Sequence, residues 1–420
     1  MYKHLNIYHI NLLMRILFFA TYPTQPTGYA RIANILTNYL AEQGHEVHYL
    51  GISNFKNVAI ERDIHPFIQL VDALEERKAD STELYGVDIV CAKINEIKPD
   101  LVLIYNDVIV INRILNEFIT TNIEKNFKLC IYLDLVYDYQ RLLYFQNIKA
   151  WADQVLVFSP CWQENLLKIG FAPEKIAILP HGYDAALFQS LDASSAKQVM
   201  GFAADDFIFL NTNRNAYRKA HDITIEAFIK FLKKQNYNPQ LKLFLNLLTM
   251  SPQGYNLLEL IKVICLKNDA DYEEVVLNHI FIRPSDSYFS DEKLNLLYNA
   301  CDVGLNTCIG EGFGLCNLEH ACVGKPQIIS RVGALADIFT NEYATLIEPK
   351  IDVYLAPLAE DHQGYVHICA SDDFAAAMER YYYDRTLAAT HGILGQRFLT
   401  KKYEWAGILQ EFTLALAKLV

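Results

Sequence analysis

Short, unbroken runs of Val, Ile, Leu and aromatic residues, each bounded by turn residues and followed by a longer helical pattern, constrain this chain most, and the series occurs twice. In the first half, "RILFFAT" (15–21) leads through "YPTQPTG" into 29–44, where Ile32, Ile35, Leu36, Tyr39 and Leu40 recur at helical spacing. Further apolar runs follow at 46–52, 100–106, 128–134, 154–159 and 175–180. The pattern restarts at 206–213 and continues at 242–248, 279–284, 302–307 and 326–330, with helical stretches at 220–235 and 291–302 between. A strand with one wet face alternates apolar and polar residues, whereas strands apolar throughout are buried on both faces, as in a parallel sheet wrapped by helices. The reading is α/β: two tandem Rossmann-like, doubly wound parallel-sheet domains facing an interdomain cleft, joined near 181–198.

Length agrees, because a single core rarely grows beyond about 250–300 residues and this chain has 420. The spacing predicts a first domain over 1–190, a second over 191–395, and a C-terminal helix over 396–420 that packs back on the first. A net charge of −12, with no block of five Lys or Arg, argues against a nucleic-acid partner. The nine cysteines form no C-x-x-C pair and lie mostly in apolar runs such as "KLCIYL", which suits free thiols in a reducing compartment better than disulfides or zinc. The N-terminal "MYKHLNIYHINLLMRILFFA" resembles a secretory leader only superficially: Arg15 splits its apolar part and no small-residue cleavage site follows. Residues 1–13 read as an extension, with Met14 an alternative start. No run approaches the ~20 apolar residues of a membrane span, so the expectation is a soluble, cytoplasmic protein for which peripheral membrane contact stays open.

In open α/β sheets ligands bind at the carboxyl ends of the strands, where helix N-termini present unpaired N–H groups and partial positive charge. Three strand ends carry suitable residues. "TYPTQPTGYA" (21–30) places Gly28 at the mouth of a helix, where backbone can approach a ligand closely; an ordinary turn reads the same way. "NTNRNAYRKAHD" (211–222) holds Arg214, Arg218 and Lys219 after the first strand of the second domain, a site for a diphosphate or a solvated basic turn. "EGFGLCNLEHA" (311–321) is a glycine-rich loop entering a helix that stops at Gly324 before Pro326. There Gly312 and Gly314 free the backbone so that the amides of Phe313, Gly314 and Leu315 can face an anion. Glu311 and Glu319, the latter expected two turns in, would repel phosphate and so should take sugar hydroxyls on either side of it. Each acid taken alone also reads as a surface charge.

"GEGFGLCNLEHACVGKPQIISRVGALADIF" closely resembles the E-x7-E region of retaining glycosyltransferases of the GT-B class, family-4 type. "LYNACDVGLNT", "NRNAYRKAHDITIEAF", "GYARIANILTNYLAEQGHEVHYLG" and "KIAILPHGYD" are similar to other parts of that family's pattern. The resemblance implies a metal-independent hexosyltransferase with no cofactor, a nucleotide-diphosphate sugar as donor, and a glycan, protein-linked or small-molecule acceptor. It implies that Glu311 touches the donor sugar and Glu319 the ribose, that Arg214 and Lys219 hold the diphosphate with the amides of Phe313, Gly314 and Leu315, that Gly28 faces that phosphate, and that Arg283 borders the nucleobase. Two departures stand out: the family's first-domain His-Asp is Leu133-Asp134 here, leaving Asp134 as the acid near acceptor or sugar, and its Asn-Gly is His181-Gly182. His320 reads as packing. A non-catalytic nucleotide-sugar or glycan-binding protein and a nucleotide-sugar epimerase remain as alternatives. A dinucleotide oxidoreductase is disfavoured, because "GEGFG" lacks the G-x-G-x-x-G spacing and "QIIS" runs into Arg331 instead of an acid.

Overall fold

The computed structural model describes residues 13–55, 60–284, 289–355 and 362–419. The N-terminal extension up to residue 12 lies outside them. Seven parallel strands form the first sheet in the order β3-β2-β1-β4-β5-β6-β7. They are β1 (Arg15–Thr21), β2 (Glu46–Ile52), β3 (Gln69–Asp72), β4 (Leu101–Asp107), β5 (Lys128–Asp134), β6 (Gln154–Val157) and β7 (Ile176–Ile178). The second sheet has six parallel strands, β10-β9-β8-β11-β12-β13. These are β8 (Phe207–Asn211), β9 (Leu241–Leu245), β10 (Ile280–Ile282), β11 (Val303–Asn306), β12 (Gln327–Ser330) and β13 (Thr345–Ile347). Each order reverses beside its first strand, between β1 and β4 and between β8 and β11, and the loops leaving β1, β8 and β11 therefore open toward one crevice.

Local sequence explains the first crossover. Thr27 caps the Gly28–Glu42 helix by accepting from the Ala30 amide, and Ile32, Ala33, Leu36 and Leu40 form its buried face. Each large apolar side chain so buried contributes about 1.5–3 kcal/mol before chain entropy is subtracted. Leu101, Val102, Leu103 and Ile104 of β4 are no more than 1% exposed, the two-sided burial that their continuous apolar run predicts.

Two features go beyond the strands that the apolar runs predict. β3 and β13 are extra edge strands, short and half-buried, so their sequences lack a long apolar run. An antiparallel hairpin, β14 (Ile351–Leu355) and β15 (Gly364–Ile368), follows β13. β14 is almost wholly exposed, which is why its sequence carries no burial signal. The hairpin reaches the first domain: the Tyr365 amide donates to the Asp138 carbonyl at 2.8 Å, and the Arg141 amide to that of His362 at 2.9 Å. His367 lies between Asp138 (3.0 Å) and Asp352 (2.6 Å). Those carboxylates, Asp138 foremost, push its pKa up to about 9, so this bridge between domains is charged at neutral pH.

The C-terminal segment is a second tie. Arg385–Lys402 is one continuous helix running past residue 396, and the contacts with the first domain described next come from Tyr403 and the Trp405–Ala417 helix after it. There the Tyr183 amide donates to the Tyr403 carbonyl (2.9 Å), Tyr39 Oη meets Thr413 Oγ1 (2.6 Å), and Ile408, Phe412 and Leu416 join the apolar cluster that contains the first sheet. All nine cysteines are unpaired thiols. Among the described residues no helix is long and apolar enough to cross a membrane.

Candidate functional site

The two switch points face each other across a cleft of about 740 Å³ lined from both domains, a size suited to a drug-sized or nucleotide-sized ligand.

The second-domain wall is built on the loop between β11 and the Leu315–Cys322 helix. Gly314 stands ahead of that helix at φ 90°, and a Cβ there would lie 2.5 Å from Leu335 Cδ2, so the position needs glycine on two counts. The Asn317 and Leu318 amides return to the Gly314 carbonyl at 3.1 and 3.2 Å. Those of Phe313, Gly314, Leu315 and Cys316 have no protein acceptor among the described residues. Four donors at the positive end of a helix are an arrangement able to hold an anion.

Glu311 is buried beside it. Its Oε2 accepts from Lys219 Nζ and, at 3.3 Å, from Asn306 Nδ2, while Arg218 Nη1 stands 3.6 Å from Oε1. Burial works to raise its pKa, but Lys219 and Arg218 overcome it and hold the carboxyl at about 2. Lys219 also donates to Asn213 Oδ1 at 2.8 Å, leaving one of its three N–H groups for a ligand. Arg214, by contrast, is exposed on the cleft wall, and its guanidinium has no hydrogen-bond or ion-pair partner among the described residues. Its carbonyl is fixed by His221 Nε2 at 3.0 Å. Arg283, at the end of β10, is buried and borders the cleft with its amide on the Leu245 carbonyl (3.0 Å); 285–288, the rest of that sequence stretch, lies outside the described residues.

Glu319 stands one turn into the helix, not two, because the helix begins at Leu315. Its Oε1 is held by Arg31 of the first domain and its Oε2 by the Tyr298 hydroxyl at 2.9 Å; Asp291 lies 3.7 Å from Arg31. Burial pushes Glu319 up to about 7 against the pull of Arg31 and Tyr298. His320 stacks on Tyr298 with ring centres 5.3 Å apart, and burial keeps it neutral, at about 3.

The first-domain wall comes from β1 and β5. Gly28 is the first residue of its helix, and a Cβ there would lie 3.3 Å from Leu315 Cδ1, so the two helix mouths nearly touch. Asp134 ends β5. Its Oδ2 accepts from the Tyr29 hydroxyl, whereas Oδ1 is buried without a hydrogen-bond partner, and burial pushes this carboxyl up to about 6. A Cβ on Gly312 would lie 2.2 Å from that Oδ1, so glycine lets the loop settle onto the acid. Trp162 Nε1 then clasps the loop through the Gly312 carbonyl at 2.8 Å. Leu133 points into the first core and is fully buried. His181 accepts and donates within a phenol pair, Tyr132 at 2.8 Å and Tyr105 at 3.3 Å, and burial lowers it to about 3.

Glu311, Glu319, Arg214, Lys219, Arg283, Gly28, Asp134 and the amides from Phe313 to Leu315 thus share one cleft. Sequence reasoning missed Tyr29 and Arg31, although both lie within a turn of Gly28 on the same helix mouth. It also missed Tyr298, Asp291 and Trp162, which sit in helices with no local mark of function. Among the described residues no three His, Cys, Asp or Glu side chains stand together as a metal-binding group.

No protein-family model matches this chain. A D-inositol 3-phosphate glycosyltransferase of Acidothermus cellulolyticus is 26% identical over 198 residues, 47% of this chain and 42% of that protein. An uncharacterized glycosyltransferase of Methanocaldococcus jannaschii is 23% identical over 195 residues, 45% of each chain. The matches span less than half the length of these relatives. Among solved structures, the sucrose-phosphate synthase of Thermosynechococcus elongatus superposes with a TM-score of 0.72 at 18% identity, covering 96% of this chain and 98% of that one. HepE of Anabaena, in complex with UDP and glucose, gives 0.69 at 16% identity, covering 97% and 100%. The architecture is the two-domain GT-B fold.

Proposed function

We propose that this protein is a retaining glycosyltransferase of family-4 type, moving a sugar from a nucleotide-diphosphate sugar to an acceptor hydroxyl without a metal. One observation carries the reading: four unpartnered amides at a helix mouth stand beside the free guanidinium of Arg214, with a buried carboxylate on each side and Asp134 across the cleft. Amides and Arg214, with the remaining N–H of Lys219, suit a diphosphate. Glu311 suits the donor sugar through Oε1, and Glu319 the ribose. The UDP and glucose bound to HepE, whose fold this chain shares, support a donor of that class.

In the reaction the bond between the anomeric carbon and the phosphate oxygen breaks, and its electrons go to the diphosphate. The acceptor oxygen forms the new bond on the same face, and its proton passes to the departing phosphate oxygen, which gives retention. Donors fixed before the reaction stabilise developing charge without reorganising, and removing one costs about 3–4 kcal/mol of barrier in comparable sites. Arg214→Ala should therefore lower transfer by about 100-fold or more while leaving the melting temperature unchanged. Thermal shift and turnover with UDP-, GDP- and ADP-sugars test the whole reading; absence of both stabilisation and product with every donor overturns it. One observation favours a second reading, a non-catalytic nucleotide-sugar-binding protein: Leu133, where the resembling family has histidine, is buried in the core and offers the cleft no polar group. Tight binding with no transfer or hydrolysis would decide for it.

A further inference from the structure

Arg31 and Glu319 belong to different domains, yet they form a nearly buried ion pair at the edge of the cleft. Arg31 also stands 3.7 Å from Asp291, on the N-terminal turn of the Asp291–Ala300 helix, and its guanidinium lies 5.4 Å above the Phe188 ring in the segment joining the domains. One side chain thus touches the second domain twice and the connection between domains once. Glu319 in turn has each carboxylate oxygen engaged once, Oε1 by Arg31 and Oε2 by Tyr298. An ionised carboxylate offers about four lone-pair sites, so two remain, one per oxygen, which is the pattern that grips a vicinal diol. Burial opposes ionisation of Glu319, and Arg31 is the cation that opposes burial.

We propose that Arg31 is a positioning residue that makes recognition of the nucleotide's ribose conditional on closure of the two domains, by holding the Glu319 carboxyl oriented toward the ribose hydroxyls. This rests on the ribose role given to Glu319 above. The amide and Arg214 anion site lies wholly within the second domain and binds diphosphate whether or not Arg31 is present. Loss of Arg31 should therefore erase the distinction between ribose and deoxyribose while sparing the rest of the nucleotide.

The test measures, by calorimetry, the affinities of UDP, GDP and ADP and of their 2′-deoxy counterparts for the full chain and its Arg31→Met, Arg31→Lys and Tyr298→Phe variants. For the nucleotide that binds, the wild type should prefer the ribose form by about tenfold or more, as expected for a hydrogen bond to a charged acceptor. Arg31→Met should bring that preference to within about twofold, with deoxynucleotide affinity unchanged, and Arg31→Lys should restore part of it. Tyr298→Phe, which keeps the cation and the shape, should give a smaller loss. A full ribose preference in Arg31→Met overturns the inference, as does an equal loss of both nucleotide forms in it. Failure of every diphosphate to bind the wild type overturns the proposed function, and the inference with it.

Discussion

On the second-domain wall Glu311 is matched by Lys219, Asn306 and Arg218, and its carboxyl is held at about 2; on the first-domain wall Asp134 has one oxygen matched by Tyr29 and one unmatched, and its carboxyl rises to about 6. Asp134 is a partly buried acid at the end of β5 and Glu311 a buried acid in the loop after β11, on facing sides of one cleft. The difference lies in where cations can come from. Glu311 draws Lys219 and Arg218 from its own domain, through the segment after β8, so its charge is settled by the fold of that domain alone. Asp134 takes its one hydrogen bond from Tyr29 of its own domain, and its other oxygen meets the second domain, at Gly312. One wall is finished within its domain, and the other is completed by the encounter.

The largest effect should come from breaking the finished wall. Lys219→Met leaves the buried Glu311 with Asn306 and, as its remaining cation, the more distant Arg218, and breaking such a pair costs about 3–5 kcal/mol at neutral pH, visible as a large fall in melting temperature. The sign of the pH dependence follows from Glu311's depressed pKa. Its contribution is present above about 4.5 and lost as pH falls toward about 2, so the gap between wild type and variant should narrow over that window. A gap independent of pH would mean that Lys219 acts by packing.

Next is the contact between walls. Gly312→Ala places a methyl group 2.2 Å from Asp134 Oδ1, so either the loop or the end of β5 must withdraw. Nucleotide affinity should fall by about tenfold or more while stability changes little, because the glycine lies at the meeting of two domains whose sheets are separate. Unchanged affinity would show that the cleft works without this approach.

The smallest effect belongs to the unfinished wall. Asp134 has a raised pKa, so the stability it contributes is present below about 3.8 and lost as pH climbs through about 6. Asp134→Asn removes that loss: the variant should gain on the wild type between pH 4 and 7 in thermal unfolding, by a few degrees at most. Parallel pH curves would place Asp134 in a more solvated setting than its burial implies.

Much of the fold was legible because burial on both faces writes itself directly into sequence. The runs at 15–21, 46–52, 100–106 and 128–134 fall on β1, β2, β4 and β5. β3, β13 and the β14–β15 hairpin left no such trace, being edge or exposed strands whose residues answer to neighbours distant in sequence. The glycine-rich loop and its helix were legible in the same way, through backbone constraints that only glycine satisfies. The partner of Glu319 was not: Arg31 is 288 residues away, and nothing in "GYAR" says which acid it will meet.

Residue order alone therefore determined two parallel sheets, the helix mouth and the acids near it, because periodic burial and glycine geometry are local properties. Which charges pair, which acid is left half-matched, and where the chain returns to tie the domains together were decided only in three dimensions. Coulomb interaction and desolvation depend on distance in space, and the sequence does not contain that distance.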